Sequence, residues 1–242
     1  MTHNIGHRGA CGYEPENTLI SFKKAIDLGV DMIELDVHLT RDKEVIVMHD
    51  ETLDRTTNGK GRLRDKNLSE IKSYTTKDKK QPIPTLQEVI DVVKGKTEIN
   101  IEIKLEDTAV EVLEIVKKNG IENDVVVSSN YPKSLQVVKK MNPNVRTALL
   151  YYATKTGPGL PILVFFSRIA FPCVKKLIFK RLRAAQADYL NLTYFLAKKR
   201  FVNELHKLGY KVNVWTVNKK HMIKKMKKVG VDGIITNYPD KI

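Results

Sequence analysis

Short apolar runs rich in Val and Ile recur along the chain, at residues 4–6, 32–37, 45–48, 99–103, 125–127, 145–150, 189–192, 212–217 and 233–236, and each has the length of a strand. Between them, apolar residues recur at helical spacing. Leu19, Phe22 and Ile26 share one face of a helix that Asn17 is placed to cap. Thr85-Leu86-Gln87-Glu88 has the form of a capping box. Gly29, Gly95, Gly120, Gly209 and Gly230 each fall where a helix should stop and a strand soon begins. The repeated order of helix, glycine and strand predicts an α/β fold with a mainly parallel sheet.

One connection breaks the rhythm. Too few residues join the runs at 32–37 and 45–48 for a parallel crossover, which needs about a dozen. The second run must return antiparallel, as a hairpin turning near residues 41–43. We expect Thr40 to face Val45, a register that sets His49 opposite Asp36. Without that return strand eight parallel strands are left, and eight βα units in 242 residues predict a closed (β/α)8 TIM-like barrel forming one domain, 1–242. An open doubly wound sheet is the rival, but no glycine-rich dinucleotide fingerprint supports it. Two stretches exceed a minimal barrel. Residues 51–82 are polar, basic and turn-rich and read as a small insertion after the hairpin, over the barrel mouth. Residues 151–183 are an apolar and basic loop, longer than a normal βα connection.

Composition narrows the function classes. With 42% hydrophobic and 29% charged residues, the chain has enough apolar material for one sizeable core and is not a disordered polymer. Two cysteines, Cys11 and Cys173, make no disulfide framework and fit a reducing compartment. No basic segment followed by an apolar stretch opens the chain, so the cytoplasm is the expected location. The most apolar segment, 160–179, carries Arg168, Lys175, Lys176, Pro161 and Pro172, which argues against a membrane span. A net charge of +14 suits a phosphate-bearing partner. Lysine pairs are scattered along the whole chain, however, which reads as general solvation, and no nucleic-acid partner is expected.

Side chains two apart on a strand share a face. Glu34 and Asp36 therefore point the same way, as do Glu102 and Lys104, and both pairs lie near the C-terminal ends of their strands. Barrel enzymes keep their active sites at that end. Three converging carboxylates repel, which raises a pKa or requires a cation, and all-oxygen ligation suits a divalent metal ion, Ca²⁺ or Mg²⁺. A barrel-mouth salt bridge among Glu34, Asp36 and Lys104 is the plainer alternative. His7 and Arg8 end the first strand, and the expected hairpin register brings His49 beside Asp36. Two imidazoles around one cationic centre suit acid–base catalysis near neutral pH, and Arg8 and Lys104 add donors for a phosphoryl group. Trp215 ends its strand, where it either stacks on a ligand or fills the core. His38 shares the face of Asp36 and is kept outside the site, and Cys11 and Cys173 read as incidental thiols.

These motifs together resemble the glycerophosphodiester phosphodiesterase family. The match runs through Gly6-His7-Arg8-Gly9, Pro15-Glu16-Asn17-Thr18, Glu34-Leu35-Asp36-Val37, Met48-His49-Asp50 and Arg55-Thr56-Thr57-Asn58-Gly59. It continues through Ile101-Glu102-Ile103-Lys104 and Val214-Trp215-Thr216-Val217. The resemblance implies hydrolysis of a small-molecule glycerophosphodiester, such as glycerophosphocholine, to sn-glycerol 3-phosphate and an alcohol. It implies a metal site of Glu34, Asp36 and Glu102, an acid–base pair of His7 and His49, phosphate binding by Arg8 and Lys104, and a glycerol contact from Trp215. It further implies attack by the substrate's own glycerol hydroxyl through a cyclic phosphate. Glu16 and Asn17 would support the loop after the first strand. Asn237 stands where many members carry an acid, and Asn130 where an aromatic residue is common, so substrate preference is open at both.

The stretch 151–183 fits an anionic membrane surface, which would favour lysophospholipids, or else a lid or dimer contact, the reading we prefer. Beside the soluble and the membrane-peripheral phosphodiesterase stands a third class, a non-catalytic phosphate-ligand or membrane-binding module. The presence of all three acids and both histidines ranks it last.

Overall fold

The computed structural model describes residues 1–151 and 171–242. The strands are β1 His3–His7, β2 Met32–Leu39, β3 Val45–Val47, β4 Glu98–Ile103, β5 Val125–Ser129, β6 Arg146–Tyr151, β7 Tyr189–Thr193, β8 Lys211–Trp215 and β9 Gly233–Thr236. The helices are α1 Leu19–Asp27, α2 Leu68–Ile71, α3 Leu86–Val93, α4 Ala109–Asn119, α5 Pro132–Met141, α6 Phe171–Ala185, α7 Lys199–Lys207 and α8 Lys220–Val229. The strand order β1-β9-β8-β7-β6-β5-β4-β2 closes through a β1–β2 pairing, so eight parallel strands form a TIM barrel.

The antiparallel strand β3 completes the wall at the mouth. β1 pairs with the first half of β2, from Ile5↔Met32 to His7↔Glu34. β3 pairs with the second half, from Val37↔Val47 to Leu39↔Val45. Since β4 occupies the other edge of β2, β1 and β3 share one edge, and β3 carries the chain above the end of β1. Its register differs by one residue from the expected one: Thr40 N–H bonds Glu44 O and Met48 N–H bonds Asp36 O. The turn has three residues, closed by Lys43 in the left-handed region (φ 62°) and by Thr40 Oγ1 accepting from Glu44 N–H. Met48, not His49, therefore stands opposite Asp36. His49 reaches the mouth because it lies just past the end of β3.

Period-two alternation sorts the side chains. Ile33, Leu35 and Val37 of β2, with Ile99, Ile101 and Ile103 of β4, face the helix layer. Inside the barrel, Ile5, Met32, Val126, Ala148, Tyr189 and Ile235 form an apolar plug. Polar inward positions stand above it, which makes the mouth a blind cavity rather than a channel.

The helices end as their residues dictate. The five expected glycine stops all have positive φ, and Gly120, at 62°, closes α4 with its N–H on Val116 and Lys117 carbonyls. Thr85 and Glu88 form the expected capping box. Thr18, not Asn17, caps α1, its hydroxyl accepting from Ser21 N–H, because Asn17 is committed elsewhere. The insertion packs Leu53, Leu63 and Ile71 with Ile46, Met48 and Ile83 in a small core of its own. Residues 171–183, expected to belong to a long loop, lie within α6. Its buried face (Ile178, Leu182, Ala185) was obscured by interleaved lysines and arginines, and Phe171 and Phe179 meet Phe201 edge-on. The rest of that stretch, with the apolar run at 160–166, lies outside the described residues.

Candidate active site

A cavity of about 820 Å³ opens at the C-terminal ends of the strands. His7, Arg8, Glu34, His49, Glu102, Lys104 and Trp215 all line it. Asp36 lies beneath them, 1% exposed.

The chain turns sharply after β1. Arg8 (φ 51°) and Gly9 (φ 82°) both adopt the left-handed region, and a Cβ on Gly9 would come within 2.6 Å of the Ser21 backbone. This close approach lets Arg8 N–H donate to Glu34 Oε2 at 2.9 Å, while Arg8 O accepts from Ser21 Oγ. The Arg8 guanidinium donates to Glu16 at 2.9 Å, and its Nε lies 3.3 Å from Asp36 Oδ2. Asn17, buried at positive φ, donates Nδ2–H to Asp36 at 2.8 Å and accepts from Asp36 N–H. That double contact is the commitment that removes Asn17 from the helix cap.

Glu34, Asp36 and Glu102 offer carboxylate oxygens within 4.8 Å of one another. Pairing of β2 with β4 brings this about, since Asp36 is the register partner of Glu102 and Glu34 that of Asn100. Lys104 Nζ lies 2.7 Å from Asp36 and 2.6 Å from Glu102, so the expected salt bridge forms within the cluster, with Glu102 in place of Glu34. Burial raises the Glu34 pKa well above the usual range, and repulsion from Asp36 and Glu102 adds to it. Burial likewise lifts Glu102 against the pull of Lys104. Asp36 goes the other way: Lys104, Arg8 and His49 overcome burial and hold it ionised. Unequal carboxylates of this kind match a site with less positive charge than its acids require. The donor set is all oxygen, and Asn100 Oδ1, 1% exposed and lining the same cavity, has no hydrogen-bond partner. These residues fit a hard divalent cation.

The two imidazoles have different partners. His7 Nδ1 lies 2.7 Å from Asn237 Oδ1, so Nδ1 carries the proton and Nε2 keeps its lone pair, 4.0 Å from Glu34. Burial and the neighbouring Arg8 lower the His7 pKa to about 4. His49 Nδ1 lies 2.6 Å from Asp50 Oδ1. Hydrogen bonds from Arg55 and His49 overcome burial and hold Asp50 at about 2, so its carboxylate stays charged. Arg55 also binds Glu16, linking the β3 end to the Arg8 loop. His38 Nε2 donates to His49 O at 3.1 Å and so fixes the backbone that carries His49.

The side of the mouth formed by β5–β8 is neutral: Ser128, Asn130, Leu150, Asn191 and Trp215. Trp215 Nε1–H donates to Asn191 O at 3.2 Å, and its ring rests on the interior plug, so it both lines the cavity and completes the core. Cys11 Sγ sits 3.8 Å from His7 Nδ1, but burial pushes its thiol up to about 12 and leaves it protonated.

The model of the glycerophosphoryl diester phosphodiesterase family matches residues 7–241. The chain belongs to this family. It is 36% identical to a glycerophosphodiester phosphodiesterase of Caldanaerobacter subterraneus, over 98% of this chain and 95% of the relative. It is 29% identical to Homo sapiens lysophospholipase D GDPD1, over 100% of this chain and 85% of that protein. A phosphodiesterase of Oleispira antarctica, solved in complex with the product sn-glycerol-3-phosphate, superposes with a TM-score of 0.84 at 26% identity, covering 98% and 94% of the two chains. This family member is an enzyme, a glycerophosphodiester phosphodiesterase.

Sequence reasoning missed the parts played by Asp50, Arg55, Asn100 and Asn237, and left His38 outside the site. Two carried a usable signal: His38 lies two residues after Asp36, and Asn100 two before Glu102, on the inward face. Asn237 was read as a specificity position, whereas it holds His7.

Proposed function

We propose that this enzyme cleaves glycerophosphodiesters to sn-glycerol 3-phosphate and an alcohol, with His7 as base, His49 as acid and a Ca²⁺ or Mg²⁺ ion held by Glu34, Asp36 and Glu102. The observation that carries this reading is the contrast at the two Nδ1 atoms. His7 is backed by a neutral amide and keeps its lone pair at Nε2, while His49 Nδ1 is hydrogen-bonded to the Asp50 carboxylate. In the first step, His7 Nε2 takes the proton from the glycerol hydroxyl adjacent to the phosphate. The freed oxygen attacks phosphorus, the bond from phosphorus to the head-group oxygen breaks, and His49 Nε2–H protonates that oxygen. Water then opens the cyclic phosphate with the two roles exchanged. Bound cation supplies charge to offset that growing on the phosphoryl oxygens. Arg8 and Lys104, whose carboxylate neighbours outweigh burial and raise both pKa values, keep their protons and donate to the same oxygens. Trp215 packs against the glycerol carbons.

A second reading, cleavage of lysophospholipids at a membrane, is supported by the likeness to GDPD1 and by a cavity toward the upper end of the ~300–1,000 Å³ usual for small-molecule sites. Product release from glycerophosphocholine, glycerophosphoethanolamine and lysophosphatidylcholine, with and without EDTA, tests both. Chelator-sensitive glycerol 3-phosphate from the soluble diesters is the expected result. Turnover undiminished by EDTA would refute the metal role, and turnover of lysophosphatidylcholine alone would favour the second reading.

A further inference from the structure

The excess positive charge is not spread over the molecule. Residues 1–124, through the end of β4–α4, hold 19 basic and 24 acidic side chains, whereas residues 125–231, from β5 through α8, hold 22 basic and 2 acidic ones. The net charge of +14 therefore combines an acidic half-barrel, one carrying +20 and a last segment, 232–242, carrying −1. Lysine pairs do occur throughout, but acids are plentiful only in the first half. Among the described residues, the first half neutralises Arg8, Arg41, Arg55, Arg64, Lys72, Lys79 and Lys104 in ion pairs. The second neutralises Lys139, Arg146 and Lys175 alone.

Part of this charge rings the cavity mouth. Helices follow strands at that end of the barrel, so Lys198, Lys199 and Arg200 at the start of α7, and Lys219 and Lys220 at the start of α8, stand on the rim, all exposed. The first turns of α6, α7 and α8 contain no acid, although a helix N-terminus favours negative charge. Lys198 lies 4.4 Å over the Phe171 ring, but helix-terminus stability does not account for the other cations there, whereas attraction to an external anionic surface does. Tyr131 at 37% and Leu177 at 46% are also exposed in the same half-barrel, as are Met141 and Leu208 at the far ends of their helices. Cations interspersed with an exposed aromatic and an exposed aliphatic side chain suit the headgroup layer of a bilayer. They suit a nucleic-acid backbone less well, since the sequence carries no groove-reading motif.

We propose that the β5–β8 half of the mouth docks on an anionic lipid bilayer, holding the cavity toward the membrane. Its use in catalysis rests on the lysolipid reading above, whereas the docking itself is measurable without turnover.

The test is co-sedimentation of the full chain with vesicles of phosphatidylcholine alone or with 30% phosphatidylglycerol, at low and high salt. The protein should partition at least tenfold more strongly onto the anionic vesicles at low salt and lose that advantage at high salt. The combined variant K198E/K199E/R200E/K219E/K220E should lose at least tenfold, and K198Q/K199Q a smaller but measurable part. A control with as many reversals at exposed lysines of the other half (K23E/K43E/K60E/K96E/K118E) should lose less than threefold. Hydrolysis of glycerophosphocholine, unchanged in the rim variants, reports that they are folded. Equal binding to both vesicle types, equal losses in rim and control variants, or tighter binding to single-stranded RNA than to anionic vesicles would each overturn the proposal. Anionic-selective docking without lysolipid turnover would uphold the docking and remove the lysolipid reading.

Discussion

The two halves of the barrel mouth are built from the same strand and helix units but differ in what their inward positions carry. The β1–β4 half presents His7, Arg8, Glu34, His49, Glu102 and Lys104. The β5–β8 half presents Ser128, Asn130, Leu150, Asn191 and Trp215, all uncharged. Outside the barrel the balance reverses: the half with the charged cavity wall has an acidic, ion-paired exterior, and the half with the neutral wall has the basic one. Charged groups crowded on one wall perturb each other's protonation, as Glu34 and Asp36 show by moving in opposite directions. A neutral wall opposite them can hold the non-reacting part of a substrate without disturbing that balance.

The largest effect should come from the charged wall. His7→Ala should lower kcat/KM for glycerophosphocholine by about 10³-fold or more, the upper part of the usual range for acid–base residues, with circular dichroism and metal titration unchanged. A loss below tenfold would end its assignment as base.

Glu34→Gln should separate function from stability. The folded-state pKa of Glu34 is raised, so its ionised form is disfavoured in the native protein. Stability of the metal-free protein should therefore fall as pH rises from the unfolded value through the raised folded one, and should be lower at neutral pH than with a neutral side chain. The variant should lose about 10²-fold or more in activity, on the scale of a lost electrostatic catalytic contact. Metal-free, it should melt higher than wild type by a few degrees, at roughly 2–4 °C per kcal/mol for a chain of this size. A lower melting temperature would show that Glu34 is already compensated.

Asn237→Asp places a charge where His7 now meets an amide. The added carboxylate should raise the His7 pKa from about 4, so more of the base is protonated at a given pH. The acid limb of the kcat/KM profile should move toward neutral pH, with the alkaline side little changed. An unmoved acid limb would detach His7 from that limb.

The neutral wall should respond most weakly. Trp215→Ala should raise KM about fivefold, equivalent to ~1 kcal/mol of lost ring contact, and leave kcat within about twofold. A large fall in kcat with KM unchanged would move Trp215 into the reacting group.

This division also governs what could be read from the sequence. All nine strands among the described residues are legible, because Val- and Ile-rich runs punctuated by glycine leave little choice of element. Acids inside apolar strands were conspicuous for the same reason, since a charge among isoleucines needs an explanation. Asn100, Asn191 and Asn237 carry no such contrast, and their roles depend on which neighbour the closed barrel supplies. The hairpin register slipped because loop length cannot be counted from the strand pattern alone; it took Lys43 at positive φ to set a three-residue turn. Asn17 looked like a helix cap because Asp36, its partner, lies 19 residues away.

The most direct test of the proposed division of labour between the imidazoles is a leaving-group comparison. Wild type, His7→Ala and His49→Ala would be assayed on glycerophosphocholine and on the matching diester of p-nitrophenol, whose phenolate leaves without needing a proton. His49→Ala should lose about 10²-fold or more on the choline ester and recover nearly to wild type on the nitrophenyl ester, while His7→Ala stays impaired on both. Equal losses on the two substrates for His49→Ala would contradict its role as the acid.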